Sequence, residues 1–224
     1  PAEAKPAEPT ASAPAAASKP AEAPKTDSAT APAAEPVKAA SSVPAADQPI
    51  ADKLREQLAA KGLRYFDRKG ERQAVEKFYS ARDYAPVWTS AGSVSAAAKG
   101  VIARLKDAPS EGLNAADYPL PDFAAATSPE ALADAELKLT SSMLDYARHA
   151  QSGRMHFSQV SYDILYPEHP TDPAEVLANV TSAKDASAAL DSYNPPHKLY
   201  KELKAKLAEL RGLSEPLNRA QGRV

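Results

Sequence analysis

The chain has 224 residues, with 27 Lys and Arg against 29 Asp and Glu for a formal net charge of -2, 21 prolines and no cysteine. The charge balance excludes the basic excess of a nucleic-acid binder, and the missing thiol excludes catalysis by a cysteine of this chain. No run of 18 apolar residues occurs, so no segment reads as a membrane span, and no signal-peptide core is present.

Residues 1–49 differ in kind from the rest of the chain: 18 are Ala and ten are Pro, with Val37 and Val43 the largest apolar side chains. Such a segment cannot repay the entropy of ordering, and the recurring prolines break any helix before its nucleus is repaid. It reads as a disordered, partly polyproline II spacer. Its four Lys against six acidic residues carry the whole net charge and leave residues 50–224 balanced at 23 of each sign. The chain begins with Pro1 rather than Met, so the expectation is either that an N-terminal segment has been removed or that the sequence is a piece of a longer one, and a Pro/Ala spacer is what is expected between an export signal or membrane anchor and an envelope domain.

Ile50, Leu54 and Leu58 recur every four residues and predict a short amphipathic helix stopped at Gly62. A second helix, from about Gly70, is expected to bury Ala74, Val75, Phe78 and Tyr79 and to end near Ala85, because the residue before Pro86 is pushed out of the α region. The chain then leaves as Pro86-Val87-Trp88, with the only tryptophan as a candidate core plug. Ser93 is read as the N-cap of a third helix on the stripe Val94, Ala97, Ala98, Val101, Ile102 and Leu105, stopped by Pro109. Gly100 inside it signals either close packing or simple tolerance.

A compact turn over 110–119 follows, with Gly112 available for a positive φ, Asn114 as a cap, and Leu113 and Tyr118 pointing inward. Ser128, Pro129 and Glu130 open the longest helix, which runs to about Ser152 and is apolar on more than one face, so it is expected at the centre of the bundle. After Gly153 the helical period is lost. Asp172-Pro173 and Asp185 open two short helices, and Asn194-Pro195 opens a last one, whose leucines 199, 203, 207 and 210 form one stripe that Gly212 ends. The fold class is therefore all-α, an irregular bundle of about seven helices over residues 50–213, with a frayed end from 214 to 224.

No active site emerges from these residues. No serine sits in a strained Gly-x-Ser-x-Gly elbow. His149, His156 and His169 lack metal-ligand spacing, and His149 reads as a helix C-terminal residue favoured by the dipole. Glu111, beside a cleft-like turn, is the best candidate acid for glycoside cleavage but has no partner carboxylate, and a Ser-Glu-Gly turn reads as solvated loop. Catalytic, cofactor and metal residues are thus all read as none.

The order of motifs points further. Phe78-Tyr79-Ser80-Ala81-Arg82-Asp83-Tyr84-Ala85-Pro86-Val87-Trp88, then Glu111-Gly112-Leu113-Asn114-Ala115-Ala116-Asp117-Tyr118, then a long helix ending in Gly153-Arg154, then Pro195-Pro196-His197-Lys198-Leu199-Tyr200, resembles the scaffold domain of YcbB-type murein L,D-transpeptidases over about residues 70–212. The resemblance implies an exported, periplasmic or envelope-bound chain. It also implies two partner domains: a peptidoglycan-binding module, and a catalytic domain whose Ser-His-Gly-Cys cysteine forms 3-3 cross-links in peptidoglycan. No residue of that nucleophile motif has a position here, so the chain is expected to be catalytically silent alone. Tyr84, Trp88, Tyr118 and Tyr162 are the candidate contacts to ligand or neighbouring domain. The alternative expectation is a non-catalytic peptidoglycan-binding or protein-adaptor helical module of the envelope.

Overall fold

A computed structural model of the chain describes residues 43–155, 157–159, 161, 163 and 171–221, with side chains to 212. Among them are seven α-helices and one two-stranded ribbon: α1 (Gln48–Ala59), α2 (Lys69–Ser80), β1 (Thr89–Ser90), β2 (Ser93–Val94), α3 (Ala96–Lys106), α4 (Pro129–Ser152), α5 (Pro173–Ser182), α6 (Ala186–Asp191) and α7 (Lys198–Gln221). The expected all-α class holds.

Helix α4 is central, as its composition predicted. It buries Leu137, Leu139, Met143, Leu144, Tyr146 and Ala147 on more than one face and packs against α1, α3 and α5. Its start follows the sequence signal, with Ser128 accepting from the Ala131 amide and Pro129 in the first turn. Asp172 and Asp185 cap α5 and α6 in the same way, accepting from Ala174 and Ala188.

Helix α1 keeps the expected stripe, with Ile50, Leu54 and Leu58 buried, but ends at Ala59 rather than Gly62. The Arg72 guanidinium, on α2, donates to the carbonyls of Leu58 (3.2 Å) and Ala60 (2.7 Å) and so satisfies the helix end from outside. Packing also begins before the expected boundary at 49. Val43 and Asp47 are both buried, and the Asp47 carboxylate accepts from the Ala91 amide at 2.9 Å.

Two boundaries are corrected. Helix α2 stops at Ser80, not near Ala85, and a turn carries Asp83 and Tyr84 at φ 53° and 60°. Left-handed backbone at non-glycine residues costs of order 1–3 kcal/mol each and persists only where the surroundings demand it. Here the surroundings are the side chains of α4 and of the α3 cap that hold Val87 and Trp88. The N-cap of α3 is Ser95, not Ser93: its Oγ accepts from the Ala98 amide, while Ser93 pairs with Ser90 in the ribbon. Ala91 and Gly92, at φ 49° and 77°, close that ribbon as a two-residue turn with both central residues left-handed.

Gly100 is a close-packing position. A Cβ there would lie 3.1 Å from the Ser187 backbone nitrogen and 3.5 Å from the Ala186 Cβ, so the missing side chain lets α3 and α6 approach.

Helix α7 differs most from expectation. Gly212 does not end it, and the helix continues through Gln221, across the expected boundary at 213. Three leucines of its stripe do not face the core: Leu199, Leu203 and Leu210 are 66%, 62% and 53% exposed. The face of α7 turned to the body instead carries Tyr200, Lys204 and Leu207.

Candidate functional site

The Phe78–Trp88 stretch is organised by a residue that the sequence patterning does not single out, Glu136 of α4. Its carboxylate is fully buried. Oε1 accepts from the Val87 amide, from the Trp88 amide at 3.1 Å and from the Tyr79 hydroxyl at 3.1 Å, and Oε2 lies 3.1 Å from the Trp88 amide. Thr140, one turn on, donates to the Glu136 carbonyl at 2.9 Å and accepts from Trp88 Nε1 at 2.9 Å, with the Tyr79 hydroxyl 3.0 Å away. From the other side Ser95 donates its amide to the Trp88 carbonyl (2.9 Å) and its hydroxyl to the Val87 carbonyl (3.1 Å).

The amides and carbonyls of Val87 and Trp88, and the indole nitrogen, are therefore all answered by Ser95 or by side chains of α4. A closed network of this kind specifies a geometry rather than a reaction. The available signal was a glutamate among apolar residues: Glu136 lies on the face of Leu132, Leu139 and Met143, where a solvated residue would not be.

Burial pushes the Glu136 carboxyl up to about 7, against the pull of the Val87 and Trp88 amides and the Tyr79 hydroxyl. A raised carboxyl pKa means that between about 4.5 and 7 the folded chain holds a proton that the unfolded chain has lost. This group's stabilisation is thus complete below about 4.5, declines as pH rises and is gone above about 7, with a span of about 3 kcal/mol. His149 acts oppositely, because burial and Arg148 lower its pKa. The expected result is that Glu136→Gln flattens the fall in urea-unfolding free energy between pH 4.5 and 7. An unchanged pH slope would contradict the assignment.

The four aromatic candidates separate by position. Trp88 is 0% and Tyr118 1% exposed, so neither ring meets solvent. Tyr118 packs edge-on to Tyr146 at 5.4 Å, and its hydroxyl lies 2.9 Å from His149 Nδ1. His149 thus lies in the last turn of α4, as expected, and is half-buried there. Phe78 is only partly buried, edge-on to Tyr79, and Tyr79 takes the core position beside Trp88. Tyr84 is half-exposed in a groove of about 510 Å³ between α1 and α2, lined also by Arg55, Arg72, Glu76 and Lys77, with the Arg55 guanidinium 4.8 Å above its ring. Tyr162, His156 and His169 lie outside the described residues.

Glu111 corrects the solvated-loop reading. It ends a 3-10 turn (Ala108–Glu111), Gly112 follows at φ 75°, and its side chain is 1% exposed. Oε2 accepts from the Tyr200 hydroxyl at 2.8 Å, Oε1 pairs with Lys204, and the Arg104 Nη1 atom, itself bonded to Asp191, stands 3.6 Å away. With Arg211 donating to the Pro109 carbonyl and Leu207 against Gly112, these contacts hold α7 to the body. Glu111→Ala is expected to remove about 2 kcal/mol of docking. Amide hydrogen exchange would read this as faster exchange over residues 198–212 while α4 stays protected.

Among the described residues no three His, Cys, Asp or Glu side chains group as metal ligands would, and no helix is long and apolar enough to cross a membrane. A family model described as Scaffold domain matches residues 73–207, from within α2 to Leu207 on α7. No curated protein and no solved structure matches the chain.

Proposed function

The chain belongs to the Scaffold domain family, and on that premise we propose that it is the scaffold of a YcbB-type murein L,D-transpeptidase. In this reading it works in the periplasm or cell envelope and holds a catalytic domain and a peptidoglycan-binding domain in position for 3-3 cross-linking. It supplies no nucleophile. The observation that carries the reading is α7: Tyr200, Lys204 and Leu207 anchor one face, while Leu199, Leu203 and Leu210 stand exposed on an adjacent one. Exposed leucines at helical spacing are a surface for a neighbouring domain. The resemblance of residues 70–212 gives that neighbour its chemistry, and the absence of cysteine from the chain agrees with a positioning role.

The test mixes the purified chain with an L,D-transpeptidase catalytic domain and follows association by sedimentation and 3-3 product from tetrapeptide muropeptides. Association that Leu203→Lys weakens, with no product from the chain alone, is the expected result. Cross-linking by the chain alone, or no association, would overturn the reading.

The Tyr84 groove favours a second reading, a peptidoglycan-binding module that stacks sugar or stem peptide on Tyr84 beside Arg55. It predicts co-sedimentation with isolated sacculi that Tyr84→Ala reduces. Retention no greater than that of a peptide comprising residues 1–49 would count against it.

A further inference from the structure

A second cleft, of about 430 Å³, lies where the start of α2 meets the end of α4 and the start of α5. Arg68, Arg148 and Arg154 line it against one acid, Glu71, and Met155 and Pro173 add apolar wall. Two of the arginines are partly engaged outside the cleft: Arg148 with Asp145, and Arg154 with Asp117 at 2.8 Å. Arg148 Nε comes within 3.4 Å of Glu71 Oε1 without forming a hydrogen bond. Arg68 is exposed and makes no hydrogen bond or salt bridge through its side chain among the described residues.

The cleft also holds buried polar atoms that make no hydrogen bond. The Thr171 hydroxyl is buried with no hydrogen-bond partner, and Arg148 Nε, also buried, meets only the Glu71 carboxylate at ion-pair distance without a hydrogen bond; such atoms cost free energy unless something binds them. The first turn of α2 adds backbone amides that no side chain caps. Donors outnumber acceptors here, and the excess charge of the lining is positive.

The geometry points to this cleft as a binding site for the free carboxylate of a short peptide. A carboxylate accepts in two directions, so it can take the planar Arg68 donors and still reach Arg148 Nε or the Thr171 hydroxyl. The volume exceeds what a bare anion fills and suits a few peptide residues lying along Met155 and Pro173. The inference stands on the cleft alone. Failure of the cross-linking reading would leave it intact, and the reverse holds as well.

The test titrates the full chain with the tetrapeptide Gly-Ala-Ala-Ala, its C-terminal amide and inorganic phosphate, following the amide shifts of Gly70, Glu71, Gly153 and Thr171. The acid is expected to move these amides and the carboxamide to bind at least tenfold more weakly. Arg68→Ala, on an exposed side chain, and Thr171→Val should each weaken the acid at least threefold with unchanged thermal unfolding. Arg148 is left in place because its removal would strand Glu71 and Asp145. Equal binding of acid and amide, tighter binding of phosphate than of peptide, or no effect of either variant would overturn the assignment.

Discussion

Trp88→Ala is expected to cost about 3–5 kcal/mol of folding stability, close to half the margin of an ordinary domain. The ring is 0% exposed and belongs to the core cluster with Tyr79, Val101 and Leu137, so its removal leaves a cavity that rigid neighbours fill only in part. The Nε1 bond to Thr140 goes with it. Trp88→Phe keeps most of the volume and loses only that bond, so it should cost roughly half as much. Urea unfolding measures both, followed by far-UV circular dichroism because the variants lack the chain's only tryptophan. Unchanged stability in Trp88→Ala would take the ring out of the core and return it to the surface as a ligand contact.

Glu136→Leu is the companion result, with an expected cost of about 4 kcal/mol or more. The substitution keeps an apolar side chain in the space but leaves the Val87 and Trp88 amides without their acceptor and the Tyr79 hydroxyl with Thr140 alone. Each such buried donor costs about 1–3 kcal/mol, and relief from desolvating the carboxylate returns only part of the sum. Glu136→Gln keeps one acceptor oxygen and should be far milder. Because Trp88 and Glu136 belong to one network, the Trp88→Ala/Glu136→Leu double variant should fall short of the sum of the single costs by more than about 1 kcal/mol. Strict additivity would show that the network is not a unit.

These expectations change the meaning of the Phe78–Trp88 stretch. It is a plug held by its backbone as much as by its ring. The left-handed Asp83 and Tyr84 are the consequence, because the chain must leave α2 early to bring two successive amides to one carboxylate. The same turn places Tyr84 in its groove beside Arg55. The half-exposed Tyr84 is thus positioned by the same turn that seats the buried Trp88.

Among the candidate site residues, legibility followed exposure and reach. Trp88 beside Pro86 and Tyr118 in its turn read as inward and are buried, whereas nothing local marked Tyr84, grouped with them as a candidate contact, as the half-exposed one. Glu111 read as solvated because its loop is polar, yet its partners Tyr200 and Lys204 lie 89 and 93 residues away. The arginines of the second cleft come from two helix ends far apart in the chain, and no local pattern joins them.

What the sequence determined by itself is what short-range physics decides: the all-α class, the central place of α4, and the openings of α4, α5 and α6. A cap bonds an amide two or three residues along, and an apolar stripe repeats within one turn, so Ser128, Asp172 and Asp185 declare their roles locally. The tertiary structure alone chose Ser95 over Ser93 as a cap, ended α2 at Ser80, turned Leu199, Leu203 and Leu210 of α7 outward and put Glu136 under Trp88. In each of these the deciding partner is distant in the chain or on another element, and a buried donor or acceptor takes whatever partner the fold brings to it.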